Sequence, residues 1–578
     1  MDKYAVAKTL REISRYLELA EKNRFKSLAF EKAARAVDSI DGDIASFIAS
    51  GKLQGAPAIG KTIGPMIVEL VASGSLPYLE ELRRQYPPGI FELLRVPGLG
   101  LRKIGTLYES LGIANLDDLE RACRNHDLSR LPGLGAKTEQ TILEGIGFAR
   151  SHSGAFLLPV ATEMAELVAE RLREVAGVEQ VVITGSIRRR LEIVKNINLA
   201  VSTRQPARLA RRLLDESLFD TTELLDGRTL RGNVRGNVSV LIHLATPQAL
   251  AATLLVTTGS EPFVGALRRV AEKKGVEMTP AGVKSRGKLM AAPDETSIFR
   301  RLRLDPIPPE LRESSEIIGR PIPALVTRSD LRGTFHVHTT WSDGKATLRE
   351  MLEAARSRRF SYVGISDHSK AAPYAGGLTE ERLREQQAEI EASRPQFPEL
   401  RIFKGTEADI LRDGSIDYGP SVLSSFDFVV ASIHSRFKMT GAEMTERMLR
   451  ALDDPFVTFL GHLTGRRLLT REGYDLDFDR IFARASERGV LIEINGDPNR
   501  MEIDWRLLQR ALDAGVSFSI HPDAHATRSL DYVDNGVSIA RKGAVPKDRI
   551  FNTRPVDEIG EYLSRRRARA IANVGATQ

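Results

Sequence analysis

Cysteine is almost absent from this chain of 578 residues, which contains only Cys123. A single thiol excludes an intramolecular disulfide framework and suits a reducing compartment. The sequence also has no apolar run approaching the roughly eighteen residues of a membrane span, and its N-terminus lacks the apolar stretch of a secretory signal. We therefore expect a cytoplasmic protein that does not bind membranes.

Acidic residues are slightly outnumbered, since 76 Asp and Glu accompany 83 Lys and Arg and leave a net charge of +7. This modest excess suits a polyanionic partner, although ordinary solvated surfaces also carry such an excess. The contents of 42% hydrophobic and 28% charged residues are typical of globular proteins. The chain is too long for a single core, and its length predicts about three to five domains.

Histidine is also scarce, with ten residues in the chain, yet several follow strand-like runs in the C-terminal half. The first run, residues 333–338, has the alternation of a β-strand. This predicts that His336 and His338 lie on the same side of the strand and share one cation. Asp343 follows in the turn after the strand, which is where parallel α/β folds place their chemistry.

Further strand-like runs also end in residues that can bind metals, and helix-like segments such as residues 348–359, 380–393 and 442–453 separate the runs. The residues at these ends are Asp367, His368, Glu407, His434, His462, Glu493, Asn495, Asp523 and His525. The repeated order of strand, ligand and helix predicts a (β/α) barrel with its ligands on the C-terminal rim. Histidines scattered over a core or a surface would not follow this order.

These motifs resemble the PHP (polymerase and histidinol phosphatase) metallophosphoesterases over residues 330–578. The resemblance implies up to three metals. The first would be held by His336, His338, Glu407 and Asp523, the second by Glu407, His434 and His462, and the third by Asp343, His368 and His525. Mixed imidazole and carboxylate shells favour Zn²⁺ or Mn²⁺ over Mg²⁺, and closely spaced metals can activate water and neutralise phosphoryl oxygens.

A short motif occurs three times in the helical N-terminal part, in residues 56–64, 96–105 and 131–138. Each copy has a hydrophobic residue, a proline, a glycine-rich turn and a new helix, which is the helix-hairpin-helix signature. The amides at the second helix form an anion site, and such hairpins hold phosphodiester backbones without reading bases. The expected DNA contacts are Lys26, Gly60, Lys61, Gly98, Gly100, Lys103, Gly133, Gly135 and Lys137. Ordinary helical connections are the alternative, and Lys26 and Lys61 could equally be solvated surface lysines.

From about residue 155 the pattern becomes mixed α/β, and the whole chain now resembles a bacterial family X DNA polymerase with a C-terminal PHP domain. The residues that match the nucleotide-binding motifs of that family are Gly185, Ser186, Arg189, Thr258, Gly259 and Ser260. The resemblance implies a multidomain chain. Its parts would be an all-α lyase-like domain (1–88), a helix-hairpin-helix domain (89–152), an α/β nucleotidyltransferase-like palm (153–245), a thumb (246–320) and a PHP (β/α)7-type barrel (330–578).

The palm departs from this family at the positions that bind the catalytic metals. The family has three carboxylates where this chain has Asn196, Asn198 and Leu241. Neutral amides and a leucine cannot supply the negative charge that two Mg²⁺ ions need beside a triphosphate, so we expect polymerase activity to be lost. Met66 stands where the lyase domain of the family has a Schiff-base lysine, so lyase activity is not expected there either.

The expected function is that of a DNA-binding, metal-dependent phosphoesterase, a 3′-5′ exonuclease or 3′-end-processing nuclease in DNA repair. Its substrate would be gapped or 3′-ended DNA of any sequence. One alternative is a gap-filling polymerase, which the lost carboxylates oppose; a second is a small-molecule phosphatase, which has no use for three hairpins. A third is a non-catalytic scaffold on gapped DNA, which the complete ligand set opposes. The physiological metal, the protein partners and the oligomeric state stay open.

Overall fold

The computed structural model describes residues 1–578 except 2, 21–23, 39, 41–42, 57–58, 88, 132, 216–218, 235–237 and 578. Pro57 and Ala58 of the first repeated motif and Pro132 of the third lie outside the described residues. The chain forms two compact units, Met1–Ser153 and Gly154–Gln578. In the described ranges, every helix is too short or too polar to cross a bilayer. The finer domain boundaries stay predictions.

The first unit is all-α, as the helical spacing of its sequence predicts. Its helices are α1 (Lys3–Leu19), α2 (Arg24–Asp38), α3 (Ile44–Ala49), α4 (Ile63–Ser73), α5 (Pro77–Gln85), α6 (Leu101–Leu111), α7 (Leu116–Arg124) and α8 (Ala136–Ser151). In the second and third motifs the turns use Gly98 and Gly133 at φ values of 83° and 81°, a left-handed conformation that favours glycine. The two motifs therefore adopt the predicted hairpin form before α6 and α8.

The second unit begins with a mixed α/β part. Its elements are β1 (Phe156–Leu157), α9 (Leu158–Glu174), β2 (Gln180–Ile183), α10 (Gly185–Arg188), β3 (Ile193–Val194), β4 (Asn196–Ser202), α11 (Pro206–Asp215), β5 (Thr221–Asp226), β6 (Thr229–Val234) and β7 (Val238–Ala245). Five of the strands form a sheet in the order β2-β4-β7-β6-β5. Strand β4 pairs parallel with β7, and this pairing places Asn198 directly beside Leu241.

A smaller helical part with a three-stranded sheet follows. Its elements are α12 (Leu250–Thr258), α13 (Glu261–Glu272), β8 (Val276–Thr279), β9 (Gly282–Ser285), β10 (Lys288–Met290) and α14 (Glu295–Arg301). It has its own core, in which Leu255, Phe263 and Phe299 are buried. Ser260 caps α13, since its hydroxyl accepts from the amide of Phe263 at 3.2 Å.

The remaining residues form the predicted barrel. Its elements are β11 (Gly333–Val337), α15 (Leu348–Ser357), β12 (Tyr362–Ile365), α16 (Glu380–Ser393), β13 (Arg401–Asp409), α17 (Pro420–Leu423), β14 (Phe428–Ser432), α18 (Gly441–Asp453), β15 (Phe459–Leu460), α19 (Phe478–Arg488), β16 (Leu491–Asn495), α20 (Trp505–Asp513), β17 (Phe518–His521), α21 (Val533–Lys542) and α22 (Val556–Thr577). Seven strands lie side by side in sequence order, and all the pairings between them are parallel. The (β/α)7-type barrel is therefore confirmed.

Strand β11 is less regular than the alternation of its sequence predicts. The register shifts between Thr334 and Val337, and His336 has a φ of 62°. The strand ends at Val337, so His338 lies beyond it. Both histidines instead hydrogen bond to the backbone of Ala524. The amide of His338 donates to the carbonyl of Ala524 at 2.8 Å, and the amide of Ala524 donates to the carbonyl of His336 at 3.1 Å. The two imidazoles therefore come together through hydrogen bonds to Ala524 and not through simple alternation along the strand.

Arg447 on α18 hydrogen bonds to two of the loops on the rim of the barrel. The side chain is 2% exposed and donates to the carbonyls of Leu411 at 2.8 Å and Ser435 at 3.0 Å, and also to that of Ile410. Burial lowers the pKa of this guanidinium, yet the carbonyls give it the acceptors that a buried cation requires. The loops after β13 and β14 therefore depend on one side chain.

We predict that Arg447→Met lowers the free energy of unfolding by about 2–4 kcal/mol, because it leaves buried carbonyls without donors. Chemical denaturation of the full chain measures this loss. Arg450→Met is the matched control, since Arg450 lies one turn further along α18 and is exposed while donating to the carbonyl of Asp413. The control should change stability by less than about 0.5 kcal/mol, and equal losses in the two variants would contradict the role given to Arg447.

Candidate metal centre

Glu407, in strand β13, lies at the centre of a buried cluster of imidazoles. It is 1% exposed, and both of its oxygens face histidine nitrogens. The distances from Oε1 are 3.2 Å to His336 Nε2, 3.2 Å to His434 Nε2 and 2.8 Å to His462 Nε2, and those from Oε2 are 3.6 Å to His338 Nε2 and 2.9 Å to His368 Nδ1. The C-terminal ends of several strands thus direct their ligands to one carboxylate.

Asp523 and Asp343 extend the cluster on either side. Oδ1 of Asp523 lies 3.6 Å from His336 Nε2, 3.4 Å from His338 Nε2 and 3.6 Å from His525 Nδ1. Oδ1 of Asp343 lies 3.3 Å from His525 Nε2, 3.6 Å from His368 Nε2 and 3.9 Å from His338 Nδ1. The nine ligand residues expected from the sequence therefore come together, although their role as ligands stays a prediction.

The donor set fits divalent cations on an observation of the fold itself. Several buried imidazole nitrogens have no hydrogen-bond partner in the part of the chain that the structure describes. They are Nε2 of His336, both ring nitrogens of His338, Nδ1 of His368 and Nδ1 of His462. Buried polar atoms without partners are rare in folded proteins, and here four histidines share this state around three carboxylates. Cations with imidazole and carboxylate ligands would satisfy them.

The protonation states favour the same conclusion. Burial, together with the charges of His525 and His368, lowers the pKa of His338 to about 3, so its ring is neutral and one of its nitrogens keeps a free lone pair. Burial opposes charge on His434 as well, but Glu407 and Asp409 outweigh it and raise the pKa of His434 to about 10. Burial alone would raise the pKa of Glu407, yet the surrounding imidazoles hold it well below its usual value. Protons on histidines such as His434 therefore supply positive charge that bound cations would otherwise supply to the same carboxylates.

Two further carboxylates orient the ligand histidines from behind. Asp409 Oδ1 lies 2.5 Å from Nδ1 of His434. Glu493 accepts from the backbone amide of His462 at 2.5 Å and is in contact with Nδ1 of His336. A carboxylate behind a ligand histidine fixes its tautomer and ring orientation, and it makes the other nitrogen more basic.

Near the mouth of the site, Asp367 holds the loop after β11. Its Oδ1 accepts from the amide of Thr339 at 2.8 Å and the hydroxyl of Ser342 at 2.5 Å. Asp367 is therefore one strand-end carboxylate that supports a loop instead of facing the imidazoles.

His521 matches no ligand position of the family, and the structure places it behind the cluster, against Glu493. Its side chain is fully buried, and its Nδ1 lies 2.9 Å from Glu493 Oε1. Its Nε2 lies 2.9 Å from the hydroxyl of Ser519. His521 therefore supports Glu493, which in turn orients His336.

Arg500, in the loop after β16, was not found from the sequence. Its Nε lies 3.5 Å from Oδ2 of Asp523, and its positive charge helps to lower the pKa of Asp523. Burial is the main cause that lowers the pKa of His462, and the charge of Arg500 lowers it further. Only its place a few residues beyond Asn495 in a strand-end loop could have drawn attention to it. A guanidinium beside the cluster can bind two phosphoryl oxygens at once.

The DNA-contact residues expected from the sequence all belong to the first unit, whereas the cluster belongs to the second unit. Lys61, Lys103 and Lys137 are exposed. Lys103 donates to the carbonyl of Gly98 at 3.1 Å, and Lys26 donates to the hydroxyl of Tyr78 at 2.8 Å. The remaining expected contacts, Gly60, Gly100, Gly133 and Gly135, lie at the starts of α4, α6 and α8. Their contact with DNA stays a prediction.

The nucleotide-motif residues of the palm come together but are bound within the chain. Arg189 donates to the carbonyl of Thr258 at 2.6 Å and to Glu313 at 2.9 Å, and the hydroxyl of Ser260 donates to the carbonyl of Glu313 at 2.7 Å. Lys542 of the barrel, 4% exposed, donates to the same Glu313 at 2.5 Å. Arg189 therefore belongs to a buried junction of palm, thumb and barrel.

The positions of the lost carboxylates carry no negative charge in the structure. A β-carbon at Gly185 would lie 2.8–3.0 Å from the side chain of Asn198, so glycine lets that amide pack closely. His243 Nε2 lies 3.3 Å from Asn198 Oδ1. Glu192, the nearest acid in the sequence, pairs with Arg506 of the barrel at 3.2 Å. No described side chain here replaces the missing carboxylates.

Comparisons with known families agree with this architecture. The family model described as a helix-hairpin-helix domain matches residues 1–76, and that of a SAM-like helix-hairpin-helix tandem matches 90–147. The DNA polymerase beta thumb model matches residues 253–313, and the PHP domain model matches 334–497. These matches define a chain that joins DNA-polymerase-type parts to a PHP domain.

A relative in Bacillus subtilis (strain 168), the DNA polymerase/3′-5′ exonuclease PolX, is 33% identical over 98% of this chain and 100% of its own length. The chain therefore belongs to the PolX family, and the resemblance stated from the sequence is confirmed. A probable phosphatase of Clostridium acetobutylicum is 25% identical over 39% of this chain and 92% of its own length. One of Vibrio parahaemolyticus is 27% identical over 38% and 88%.

We predict that Glu493→Gln lowers metal affinity about 10- to 100-fold, because an amide cannot hold His336 in its ligand tautomer. His521→Ala should act in the same direction but less strongly, since it acts only through Glu493. Titration of the protein with a metal in the presence of a competing chelator measures both effects. Glu472→Gln is the control, because Glu472 is an exposed rim carboxylate without an ion pair to any described residue. Unchanged affinity in Glu493→Gln would contradict the orienting role.

Proposed function

We propose that this protein is a DNA-binding, metal-dependent phosphoesterase that shortens DNA from its 3′ end and acts in DNA repair. The observation that carries the proposal is the set of buried, unpartnered imidazole nitrogens around Glu407. The B. subtilis relative has 3′-5′ exonuclease in its name, and this chain matches it over its full length. Gapped or 3′-ended DNA of any sequence is the substrate that this combination favours.

Mn²⁺ or Zn²⁺ suits the cluster better than Mg²⁺, because imidazole ligands dominate it. His336, His338, Glu407 and Asp523 would hold one cation, Glu407, His434 and His462 a second, and Asp343, His368 and His525 a third. Bound cations supply water activation and charge for the phosphoryl oxygens in phosphoester hydrolysis. In the palm, with Asn196, Asn198 and Leu241, Mg²⁺ has no anionic ligands.

The chain itself contributes orientation and charge to this reaction. Arg500 stands beside Asp523, where its guanidinium can hold the phosphoryl oxygens of the scissile group. Glu493 and Asp409 keep His336 and His434 in one ring orientation each. Because these residues are buried, their positions are set before substrate arrives, and little reorganisation is needed during the reaction.

The first unit carries phosphate-binding groups that suit DNA and that a small-molecule phosphatase does not need. The helices that follow Gly100 and Gly135 present free backbone amides, and Lys61, Lys103 and Lys137 add exposed positive charge. Such contacts hold phosphates irrespective of base sequence. We assign to them the role of bringing DNA to the enzyme.

We predict that the purified protein shortens 5′-labelled DNA with Mn²⁺ and loses this activity in excess EDTA. Asp523→Asn should lower the rate by orders of magnitude, because it removes charge from the cluster. Asp531→Asn is the matched control, since this carboxylate lies eight residues away and pairs with Arg358 outside the cluster. Full activity in EDTA would exclude the metal mechanism. Hydrolysis of small phosphate esters without shortening of DNA would favour the phosphatase alternative.

We also predict that the palm extends no primer on gapped DNA with either Mg²⁺ or Mn²⁺, since its positions 196, 198 and 241 are uncharged. A primer-extension gel should show only the starting primer and shorter products. The variant Asn196→Asp/Asn198→Asp/Leu241→Asp tests whether charge alone is missing. Efficient gap filling by the unchanged protein would overturn the assignment.

A further inference from the structure

Tyr374 is a large aromatic residue that the barrel leaves exposed on the metal side. It lies in a short 3-10 turn, Pro373–Ala375, in the loop after β12. Its relative exposure is 69%, whereas Ala372 and Ala375 beside it are 1% and 4% exposed. The two alanines of the loop are therefore buried, while the Tyr374 ring between them is exposed to solvent.

This loop is pinned at both ends, so the exposed ring has a fixed place. The amide of Leu378 donates to the carbonyl of His368 at 2.8 Å, which closes the loop on a ligand residue. The amide of Ala371 donates to Asp417 at 2.9 Å. Gly377 packs so tightly that a β-carbon there would lie 2.0 Å from the carbonyl oxygen of Ser369.

Arg382 joins the same loop to the one that carries Asp343. Its guanidinium donates to the carbonyl of Gly376 at 2.9 Å and to that of Trp341 at 2.5 Å. A β-carbon at Gly376 would lie 3.3 Å from the carbonyl oxygen of Ser342, the residue before Asp343. Tyr374 thus stands in a rigid loop between two ligand residues, Asp343 and His368.

Two positive side chains lie on another rim loop, whose residue His434 contacts His368 with a ring-centre distance of 5.1 Å. Arg436 and Lys438 follow the ligand His434 in the loop after β14, and they are exposed. In the described residues, neither side chain makes a hydrogen bond or lies within 4 Å of a carboxylate. Phe437 between them is anchored by Arg471, whose guanidinium lies 4.0 Å from the centre of its ring. The loop is therefore held by its middle residue and presents two cations to solvent.

We propose that Tyr374 stacks on the terminal base of a single DNA strand, and that Arg436 and Lys438 hold the phosphates that follow. The proposal rests on the proposed function and names the residues that select its substrate. Aromatic rings bind bases of any sequence through their faces, and cations beside them follow the backbone. The occupant is a single strand because its terminal base is unpaired and its flexible backbone can turn that base onto the ring, whereas pairing holds the last base of a duplex in place. A small phosphate ester would use neither feature.

The test compares two thymidine trinucleotides, one complete and one whose 3′-terminal residue has no base. With Mn²⁺, Tyr374→Ala should raise KM for the complete trinucleotide about tenfold and leave kcat nearly unchanged. It should have no effect on the abasic trinucleotide, because that substrate has nothing to stack. Tyr374→Phe should behave as the wild type, since the ring face is kept. Leu411→Ala, at a rim residue that is 37% exposed, is the matched control.

The outcomes separate the proposal from the proposed function. If the wild type cleaves both trinucleotides and Tyr374→Ala equals it on both, stacking is wrong and the nuclease stands. If Tyr374→Ala loses both substrates equally, the ring supports the cluster and stacking is again wrong. If the wild type cleaves neither, the nuclease is wrong, and equilibrium binding of the two trinucleotides in EDTA decides on stacking alone: a binding loss in Tyr374→Ala confined to the complete one supports it, and equal binding overturns it.

The two cations are tested by salt dependence. Arg436→Ala/Lys438→Ala should reduce the slope of log KM against log salt for single-stranded DNA by about 1.4, since each of the two phosphate contacts contributes about 0.7. Arg332→Ala is the control, because Arg332 is exposed and directly precedes β11, at the opposite end of that strand. An unchanged slope in the double variant would remove Arg436 and Lys438 from the proposal.

Discussion

The arrangement around one buried carboxylate, Glu407, determines how the rest of the barrel is built. Five imidazoles lie within 3.6 Å of its oxygens. Two come from the end of β11, and the other three follow β12, β14 and β15. A carboxylate in this environment is tolerable only when positive charge compensates it, because an unpaired buried charge is costly. Protons can supply that charge, as the raised pKa of His434 shows, and divalent cations can supply it better. The orienting carboxylates, the bulge in β11 and the pinned rim loops all serve to hold the nitrogens around this one group.

The sequence could predict the barrel and the convergence of its strand-end histidines and carboxylates because both follow from a repeated local pattern. In a parallel barrel the C-terminal strand ends meet, so residues that are far apart in sequence but follow strands must converge. The glycine-rich hairpins were predictable for a similar reason, since a left-handed turn requires glycine at Gly98 and Gly133. Arg500 and the buried His521 could not be predicted, because their positions depend on which strand neighbours which. The bulge at His336 also escaped, since it is imposed by Ala524, far away in the chain.

The palm keeps its sheet although Asn196, Asn198 and Leu241 carry no charge. Asn198 keeps the size of the aspartate expected at its position and packs against Gly185, so the sheet need not change. The positive residues of the nucleotide motif still need partners, and Glu313 and Glu295 provide them within the chain. Glu313 also binds Lys542 on the last rim-side helix of the barrel, α21. Loss of Arg189 would therefore leave a buried carboxylate less compensated, a structural penalty that is independent of any polymerase function.

About two-fifths of this chain matches most of the length of two probable phosphatases, so similarity over that part alone does not determine which ester is hydrolysed. In the proposed function the cluster around Glu407 acts on a phosphoryl group, which small esters and DNA both contain. Discrimination between them must come from groups outside the cluster, and two sources are present here. The first unit offers hairpins whose amides and lysines suit a phosphodiester backbone. The rim offers the exposed ring of Tyr374 and, on another loop, the exposed cations Arg436 and Lys438. Substrate choice can therefore change through rim loops and attached domains while the buried ligands stay fixed, because the loops pack on the barrel without supplying its core.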